Sequence, residues 1–242
     1  MKIAIVSDVH ANLEALTAVL ADADARGATD VWCTGDTVGY GPDPSAVLTE
    51  LRQRRALMVA GNHDLAACGR MGVEAFNPVA AEAARWTRAA LSDDQRAFLA
   101  SLPLTHIAGA FTLVHGTLRD PEWEYLLTLE QAEAQFALQT TPYSIVGHTH
   151  LPMVVRERGE RPAMRRLQPG DGVELGDGRL ILNPGGAGQP RDGDPRAPYM
   201  LYDEGAATIS FHRVPYDIAA TRRKIHAAGL PEWLGERLER GQ

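Results

Sequence analysis

The chain opens with an apolar run that ends in acidic and imidazole side chains, Lys-Ile-Ala-Ile-Val-Ser-Asp-Val-His at positions 2–10. Its first five residues, Lys2–Val6, have the length and the aliphatic content of a strand that is buried on both faces. Apolar residues then recur at helical spacing from Leu13 to Ala23, and Gly27 marks the end of that helix. A strand, a polar loop and a helix together predict a β-α unit at the start of a buried sheet.

Further strand and helix patterns repeat this unit within the first 65 residues. The runs 31–34 and 56–60 are apolar and typical of strands, whereas 44–55 has Val and Leu at helical spacing. The N-terminal part of the chain therefore predicts an α/β fold with at least three strands.

Residues 65–105 differ in character, because they are rich in Ala, lack strand patterns and contain two helical stretches at 80–91 and 93–102. We interpret 65–105 as a helical cap insertion. The sequence Gly-Asp-Gly at 176–178 lies between two apolar runs and predicts a hairpin, and 217–240 has a helical pattern. Strand patterns after the insertion occur at 111–114, 143–146, 153–156, 173–175, 180–182, 199–202 and 208–214.

The composition fits one domain over residues 1–242 that includes the cap, since the chain has 242 residues of which 45% are hydrophobic. No apolar run reaches the roughly 18 residues needed to cross a bilayer, and the first residues do not resemble a signal peptide. We therefore expect a cytoplasmic protein with no membrane contact. Two cysteines, Cys33 and Cys68, are too few for a disulfide scaffold, and we expect both to be reduced.

The charge pattern bears on possible partners. The formal net charge is −7, and Lys and Arg concentrate only in short clusters at 52–55, 165–166 and 222–224. Because polyanion binding needs an extended basic surface, a long nucleic acid is excluded as the expected partner. A small phosphate ester remains possible if positive charge is local to a site, and a homo-oligomer is left open.

Polar side chains follow five of the apolar runs. A lone Gly-Asp or His-Gly is usually a turn, but five of the eight histidines fall in these motifs. The carboxyl ends of parallel strands form one edge of a sheet, where ligand sites collect, so the motifs are expected to meet in space. They are Ser7-Asp8-Val9-His10, Gly35-Asp36, Gly61-Asn62-His63-Asp64, His115-Gly116 and Gly147-His148-Thr149-His150.

Asp, His and Asn side chains suit Mn, Fe, Zn, Co or Ni ions. Asp8 and His10 are two apart in a segment predicted to be extended, so they should point the same way, and His148 and His150 repeat that spacing. Four histidines, two aspartates and one asparagine give seven donors, which predicts two divalent ions that share one carboxylate. With Asp8 and Asp36 as the anionic ligands, the centre would keep a charge of about +2 and attract phosphate.

In their order and spacing, the five motifs resemble the calcineurin-like metallophosphoesterases, from Met1 to about Asp203. Segments 39–44 and 183–186 are similar to those of small bacterial and archaeal members described as predicted phosphodiesterases. The resemblance implies an α/β (α+β) fold, namely a four-layer αββα sandwich of two mixed sheets flanked by helices.

The resemblance also implies a role for each motif residue. A metal-bridging hydroxide would attack phosphorus in line, with His63 as the general acid and Asp64 hydrogen-bonded to His63 to set its tautomer. The implied ligands are Asp8, His10 and His150 for the first metal, Asn62, His115 and His148 for the second, and Asp36 for both.

Substrate contacts and substrate class are less constrained by these patterns. Asn12, Tyr40, Arg119 and Arg191 follow motif or loop positions, so each either contacts substrate or serves as a helix cap or surface residue. The leading hypothesis is hydrolysis of a small phosphodiester, such as a cyclic nucleotide. The alternatives are a phosphomonoesterase, a dinucleoside polyphosphate hydrolase, a protein phosphatase and a non-catalytic scaffold.

Overall fold

The computed structural model describes residues 1–157, 159 and 161–242. Within that range the strands are β1 Lys2–Val6, β2 Asp30–Cys33, β3 Leu57–Met58, β4 Thr105–Ala108, β5 Phe111–Val114, β6 Tyr143–Ile145, β7 Met153–Arg156, β8 Ala163–Arg166, β9 Gly172–Glu174, β10 Leu180–Asn183, β11 Ala197–Asp203 and β12 Thr208–Val214. The helices are α1 Leu13–Ala25, α2 Pro44–Gln53, α3 Asn62–Cys68, α4 Pro78–Ala90, α5 Asp93–Ser101, α6 Leu129–Leu138, α7 Ile218–Ala227 and α8 Trp233–Glu236, followed by a 3-10 helix at Arg237–Arg240.

Two mixed six-stranded sheets pack face to face, in the orders β3-β2-β1-β11-β12-β9 and β4-β5-β6-β10-β7-β8. Ile5 and Phe211 of the first sheet join Phe111 and Leu182 of the second in one buried apolar cluster. On the outer faces, Leu16 of α1 packs against the first sheet, and α6 packs against the second. These four layers confirm the predicted αββα sandwich.

The parallel strands of both sheets end on the same side of the molecule. β1, β2 and β3 are parallel in the first sheet, as are β5, β6 and β10 in the second. Main-chain hydrogen bonds join the segments that follow neighbouring strands, from Asp8 N to Gly35 O (3.0 Å) and from Gly147 N to His115 O (2.8 Å). The polar motifs therefore converge at one edge of the sandwich.

Three helices occupy the segment predicted to be a helical cap. α3 packs against both α4 and α5, and α4 and α5 coincide with the predicted stretches to within two residues. α3 begins at Asn62, inside a polar motif, so the first helix of this segment also carries candidate site residues. The interpretation of 65–105 as an insertion into a single domain stays a prediction.

One turn prediction is wrong. The Gly-Asp-Gly sequence at 176–178 does not close a hairpin, because β9 before it pairs with β12 in the first sheet and β10 after it pairs with β6 and β7 in the second. The segment instead connects the two sheets. Its glycines produce a local turn signal, which carries no information about the partners of the flanking strands.

Besides α3, which none of the predicted helical stretches covers, three elements of the described residues escape the sequence patterns. β4 and β8 are edge strands with mostly exposed side chains, and they lack the apolar run or alternation by which strands are recognised. α6 buries only Ala132, Gln135 and Phe136. Its start has a sequence signature that could have revealed it, since the Thr128 side chain accepts from Gln131 N and the Gln131 side chain accepts from Thr128 N in a capping box.

A loop after β10 returns from the second sheet to support the loop after β1. Ala187 N donates to Ser7 O (2.9 Å) and Gly188 N donates to Asp8 O (3.0 Å). A Cβ atom at Gly188 would lie 1.7 Å from Val9 O, so the two backbones approach too closely for any side chain there. The absence of a Cβ at Gly188 is thus a requirement for the position of the Asp8 loop.

We expect Gly188→Ala to destabilise the fold by about 1–3 kcal/mol, the usual cost of overpacking a tight site. Urea unfolding followed by circular dichroism measures this change. Gly176→Ala is the matched control and should be close to neutral, because nothing lies within 4 Å of a Cβ at that position. Equal stability of the two variants would contradict the close approach at Gly188.

Candidate metal centre

The candidate ligands lie in loops with unusual backbone geometry. Asp8, His10, Asp36, His148 and His150 all have φ between 47° and 63°, in the left-handed region that non-glycine residues rarely adopt. The extended geometry predicted for 8–10 and 148–150 is therefore wrong. Such conformations cost free energy and occur mainly where a functional site requires them.

One cluster consists of Asp8, His10 and His150, which are all buried. His150 Nε2 lies 3.2 Å from Asp8 Oδ1 and 3.2 Å from His10 Nε2. The other carboxylate oxygen, Asp8 Oδ2, accepts hydrogen bonds from Ser7 Oγ (2.6 Å) and from the main-chain N of His148 (3.1 Å). Asp8 thus connects the two sheets through one carboxylate oxygen and directs the other into the cluster.

A second cluster consists of Asp36, His115 and His148, which are also buried. His115 Nε2 lies 3.3 Å from Asp36 Oδ2 and 3.0 Å from His148 Nδ1. Asp36 Oδ2 is also 3.7 Å from His10 Nε2 of the other cluster. The Asp36 carboxylate therefore faces both clusters. Unlike Asp8 and His10, His148 and His150 point to different clusters although they are also two residues apart.

In each of the four histidines of the two clusters, one ring nitrogen is hydrogen-bonded to a main-chain carbonyl oxygen. Because a carbonyl oxygen only accepts, that nitrogen carries the N–H and the other nitrogen is free to act as a ligand. The contacts are His10 Nδ1 to Val38 O (3.2 Å), His115 Nδ1 to Thr34 O (2.9 Å), His148 Nε2 to Trp123 O (3.2 Å) and His150 Nδ1 to Gln189 O (2.5 Å). In every case the other nitrogen faces a cluster.

The titration behaviour of the protein side chains favours a cation in each cluster. Burial lowers the pKa of His10 and of His150, so both rings are neutral at pH 7 and their Nε2 lone pairs face each other. In the second cluster burial opposes protonation of His115, but Asp36 and Asp8 outweigh it and raise its pKa to about 9. Without a metal, His115 therefore carries a proton at pH 7 that the two carboxylates stabilise, and a divalent cation would replace that proton.

Two buried side-chain oxygens without hydrogen-bond partners also favour a bound cation in each cluster. Asp8 Oδ1 and Asn62 Oδ1 are buried and have no hydrogen-bond partner among the residues that the structure describes. A buried acceptor without a partner costs free energy unless a cation satisfies it. Oxygen and imidazole donors in this number suit divalent transition metals, so the residues present fit two such ions.

His63 lies beside the clusters with a different environment. Its ring centroid is 5.0 Å from that of His10, 4.4 Å from that of Tyr40 and 4.9 Å from that of Phe76. Its Nδ1 is buried without a partner in the described part of the chain. Burial lowers the pKa of His63 to about 4, although Asp36 opposes this shift. His63 N donates to Asp36 Oδ1 (2.9 Å), which ties this residue to the shared carboxylate.

The predicted hydrogen bond between Asp64 and His63 is wrong. Asp64 is the third residue of α3, and its carboxylate turns back to accept from Gly61 N (3.1 Å) and from Val38 N (3.1 Å). Successive helical residues point about 100° apart, so the two side chains diverge. Burial and Asp36 raise the pKa of Asp64 to about 7.

The four residues proposed for substrate contact separate into two groups. Asn12 caps α1 by accepting from Ala15 N and donates to Gly188 O, so both ends of its amide are used and the capping alternative applies. Arg119 is exposed and paired with Glu124. Tyr40 and Arg191, in contrast, line one cavity of about 300 Å³ next to the clusters.

The motifs do not reveal the aromatic residues around the centre. Tyr125 stacks on His148 with ring centroids 4.0 Å apart, and Phe76 contacts Trp123 at 4.9 Å. Trp123 and Tyr125 lie within eleven residues of His115 in a chain with only 6% aromatic residues. That local concentration is the signal that could have identified them.

A fold of this kind and two buried His/Asp clusters that meet at one carboxylate define a metal-dependent phosphoesterase. The chain belongs to the calcineurin-like phosphoesterase superfamily, since its residues 1–206 match the calcineurin-like phosphoesterase superfamily domain. The superfamily uses divalent metal ions and hydrolyses phosphoric esters. This membership confirms the resemblance carried by the five motifs.

Individual relatives extend the similarity to the whole chain. An uncharacterized protein of Methanocaldococcus jannaschii is 39% identical over 245 residues, which cover 99% of this chain and 98% of the relative. The crystal structure of a metallophosphoesterase from Sphaerobacter thermophilus has a TM-score of 0.91 and 44% identity, with 100% and 99% coverage. A hypothetical protein from Pyrococcus horikoshii OT3 shares the fold with a TM-score of 0.81 at 18% identity, with 100% and 98% coverage.

We expect Asp36→Asn to weaken binding of Mn²⁺, because it removes the negative charge that faces both clusters. The loss of affinity should exceed the roughly 10- to 100-fold seen when a residue that only hydrogen-bonds to a metal ligand is mutated. Calorimetric titration of the metal-free protein measures both affinity and stoichiometry. Asp30→Asn is the matched control, an exposed carboxylate on β2, the strand that leads to Asp36. Two ions bound with wild-type affinity in the Asp36 variant would contradict its shared position.

Proposed function

We propose that the chain is a two-metal phosphodiesterase that hydrolyses a small phosphodiester, such as a cyclic nucleotide or a related diester. The observation that carries this proposal is the set of four histidines, each held by a carbonyl on one side and directed to a cluster on the other. This orientation supports metal binding more specifically than residue type alone.

Each cluster would hold one divalent ion, which is Mn, Fe, Zn, Ni or Co by donor chemistry. When bound, two such ions lower the pKa of water and neutralise charge on phosphoryl oxygens, which promotes in-line hydrolysis. The proposed ligands are Asp8, His10 and His150 for one ion, Asn62, His115 and His148 for the other, and Asp36 for both.

We assign the general acid to His63, because among the described residues its ring, alone of the motif histidines, has no carbonyl partner, and it lies against His10 and Tyr40. A phosphate anion bound beside the ring raises its pKa and favours the protonated form that donates to the leaving oxygen. Asp64 has a positioning role. Through Gly61 N and Val38 N its carboxylate holds together the loops that carry Asp36 and Asn62.

The surroundings of the centre favour a small substrate. The ligand side chains are 0–4% exposed, and the adjoining cavity of about 300 Å³ is at the lower end of the range for small-molecule pockets. A folded phosphoprotein would need a more open approach to the metals. Phosphomonoesters and dinucleoside polyphosphates are the alternative substrates.

A cytoplasmic location is also proposed. Both cysteines are free in the structure, as is usual in reducing compartments. Among the described residues, no helix combines the length and the apolar character needed to cross a membrane.

We expect His63→Ala to retain both metals and to lower turnover roughly 100-fold or more, because proton transfer to the leaving group is lost while every ligand remains. Metal content by mass spectrometry and turnover of a diester are measured on the same samples. His106→Ala, on the exposed face of β4, is the matched control. Unchanged turnover in the His63 variant would contradict its assignment as the acid.

With added Mn²⁺, the protein should hydrolyse bis(p-nitrophenyl) phosphate with a higher kcat/KM than p-nitrophenyl phosphate. The physical reason is charge balance: the proposed centre would keep about +2, or about +1 once a hydroxide is bound, and a singly charged diester neutralises the remaining charge. Release of p-nitrophenol measures both rates. A strong preference for the monoester would instead support the phosphomonoesterase alternative.

A further inference from the structure

Two guanidinium groups face the cavity beside the metal centre. The cavity borders both clusters, because the Tyr40 ring lies 4.8 Å from His10 and Tyr125 stacks on His148. The residues that line it are Tyr40, Asn77, Val79, Tyr125, Arg191, Trp233 and Arg237. A ligand in this cavity would therefore lie directly next to a phosphoryl group bound at the metals.

Neither guanidinium has an Asp or Glu side chain as its partner within the described ranges. Arg191 donates to Gln189 Oε1 (2.8 Å), whereas Arg237 bonds the main-chain oxygen of Gln242 and stacks over Trp233 at 4.3 Å. By contrast, the buried Arg213 side chain is paired with Asp192.

The two like charges also act on each other. Burial and then Arg191 lower the pKa of Arg237 to about 10. Arg237 is therefore still a cation at pH 7, but it is less stable than an isolated guanidinium in water. An anion between them would relieve the repulsion, since guanidinium groups bind phosphate oxygens through paired N–H donors.

The C-terminal segment supplies half of this arrangement. Arg237 and Trp233 lie beyond residues 1–206, the part that matches the superfamily domain. An apolar cluster that contains Tyr40, Ile225 and Leu234 packs the segment against the site. The position of Arg237 is thus set by the core of the protein, and its role is not part of the common metal-binding pattern.

We propose that this cavity binds a second phosphate group of the substrate, through Arg191 and Arg237, so that the preferred substrate is a phosphodiester that also carries another phosphate. This inference rests on the proposed function and narrows its substrate class. The Tyr40 side chain supplies a further hydroxyl donor at the cavity wall. A cyclic mononucleotide lacks the second phosphate group and would leave the cavity without its anion.

The first test is calorimetric titration of metal-free protein with inorganic pyrophosphate, which requires no turnover. We expect Arg237→Gln and Arg191→Gln each to weaken binding about tenfold, the usual effect of losing a hydrogen bond to a charged group. Arg240→Gln removes an exposed arginine from the same 3-10 helix and should bind like the wild type. Wild-type affinity in the Arg237 variant, or an equal loss in the Arg240 variant, would overturn the proposal.

The second test compares kcat/KM for a dinucleotide that carries a 5′-phosphate with kcat/KM for the same dinucleotide without it, both with Mn²⁺. The wild type should prefer the phosphorylated form about tenfold, and Arg237→Gln should lose that preference. Equal rates on both substrates in the wild type would refute the inference. If neither dinucleotide were hydrolysed but bis(p-nitrophenyl) phosphate was, this inference would fail and the proposed function would stand. If no diester were hydrolysed, the proposed function would fail and the pyrophosphate titration alone would test the binding site.

Discussion

Contacts between main-chain carbonyls and histidine rings are the constraint on which the centre depends. Four carbonyls, from Thr34, Val38, Trp123 and Gln189, each fix the N–H of one imidazole and direct the opposite nitrogen inward. These carbonyls come from loops of both sheets, so the face-to-face packing of the sheets must be correct before any ring is oriented. Stability of the sandwich and geometry of the site are therefore linked.

The same constraint explains the strained backbone. Five of the seven candidate ligands have positive φ, at a cost of about 1–3 kcal/mol each. Hydrogen bonds such as those from Gly188 N to Asp8 O and from His148 N to Asp8 Oδ2 hold these loops in place. Packing of the core beneath the loops offsets the free-energy cost of these conformations.

Much of this arrangement is predictable from sequence, because strand ends and metal-donor residues are local signals. The five motifs identify every member of both clusters, and the αββα class follows from the resemblance that they carry. Side-chain direction is not predictable in this way: His148 and His150 face different clusters, whereas Asp8 and His10, with the same spacing and also with positive φ, face the same one. The sequence patterns also do not reveal the proposed phosphate contact of Arg237, because it depends on how a distant C-terminal segment packs around Tyr40.

The proposed function depends on two cations that share the carboxylate of Asp36. An anomalous difference map from crystals grown with Mn²⁺ tests it most directly. We expect two peaks about 3.5–4 Å apart, one beside His10 and His150 and the other beside His115 and His148, with Asp36 between them. A single peak, or two peaks that do not share Asp36, would contradict it.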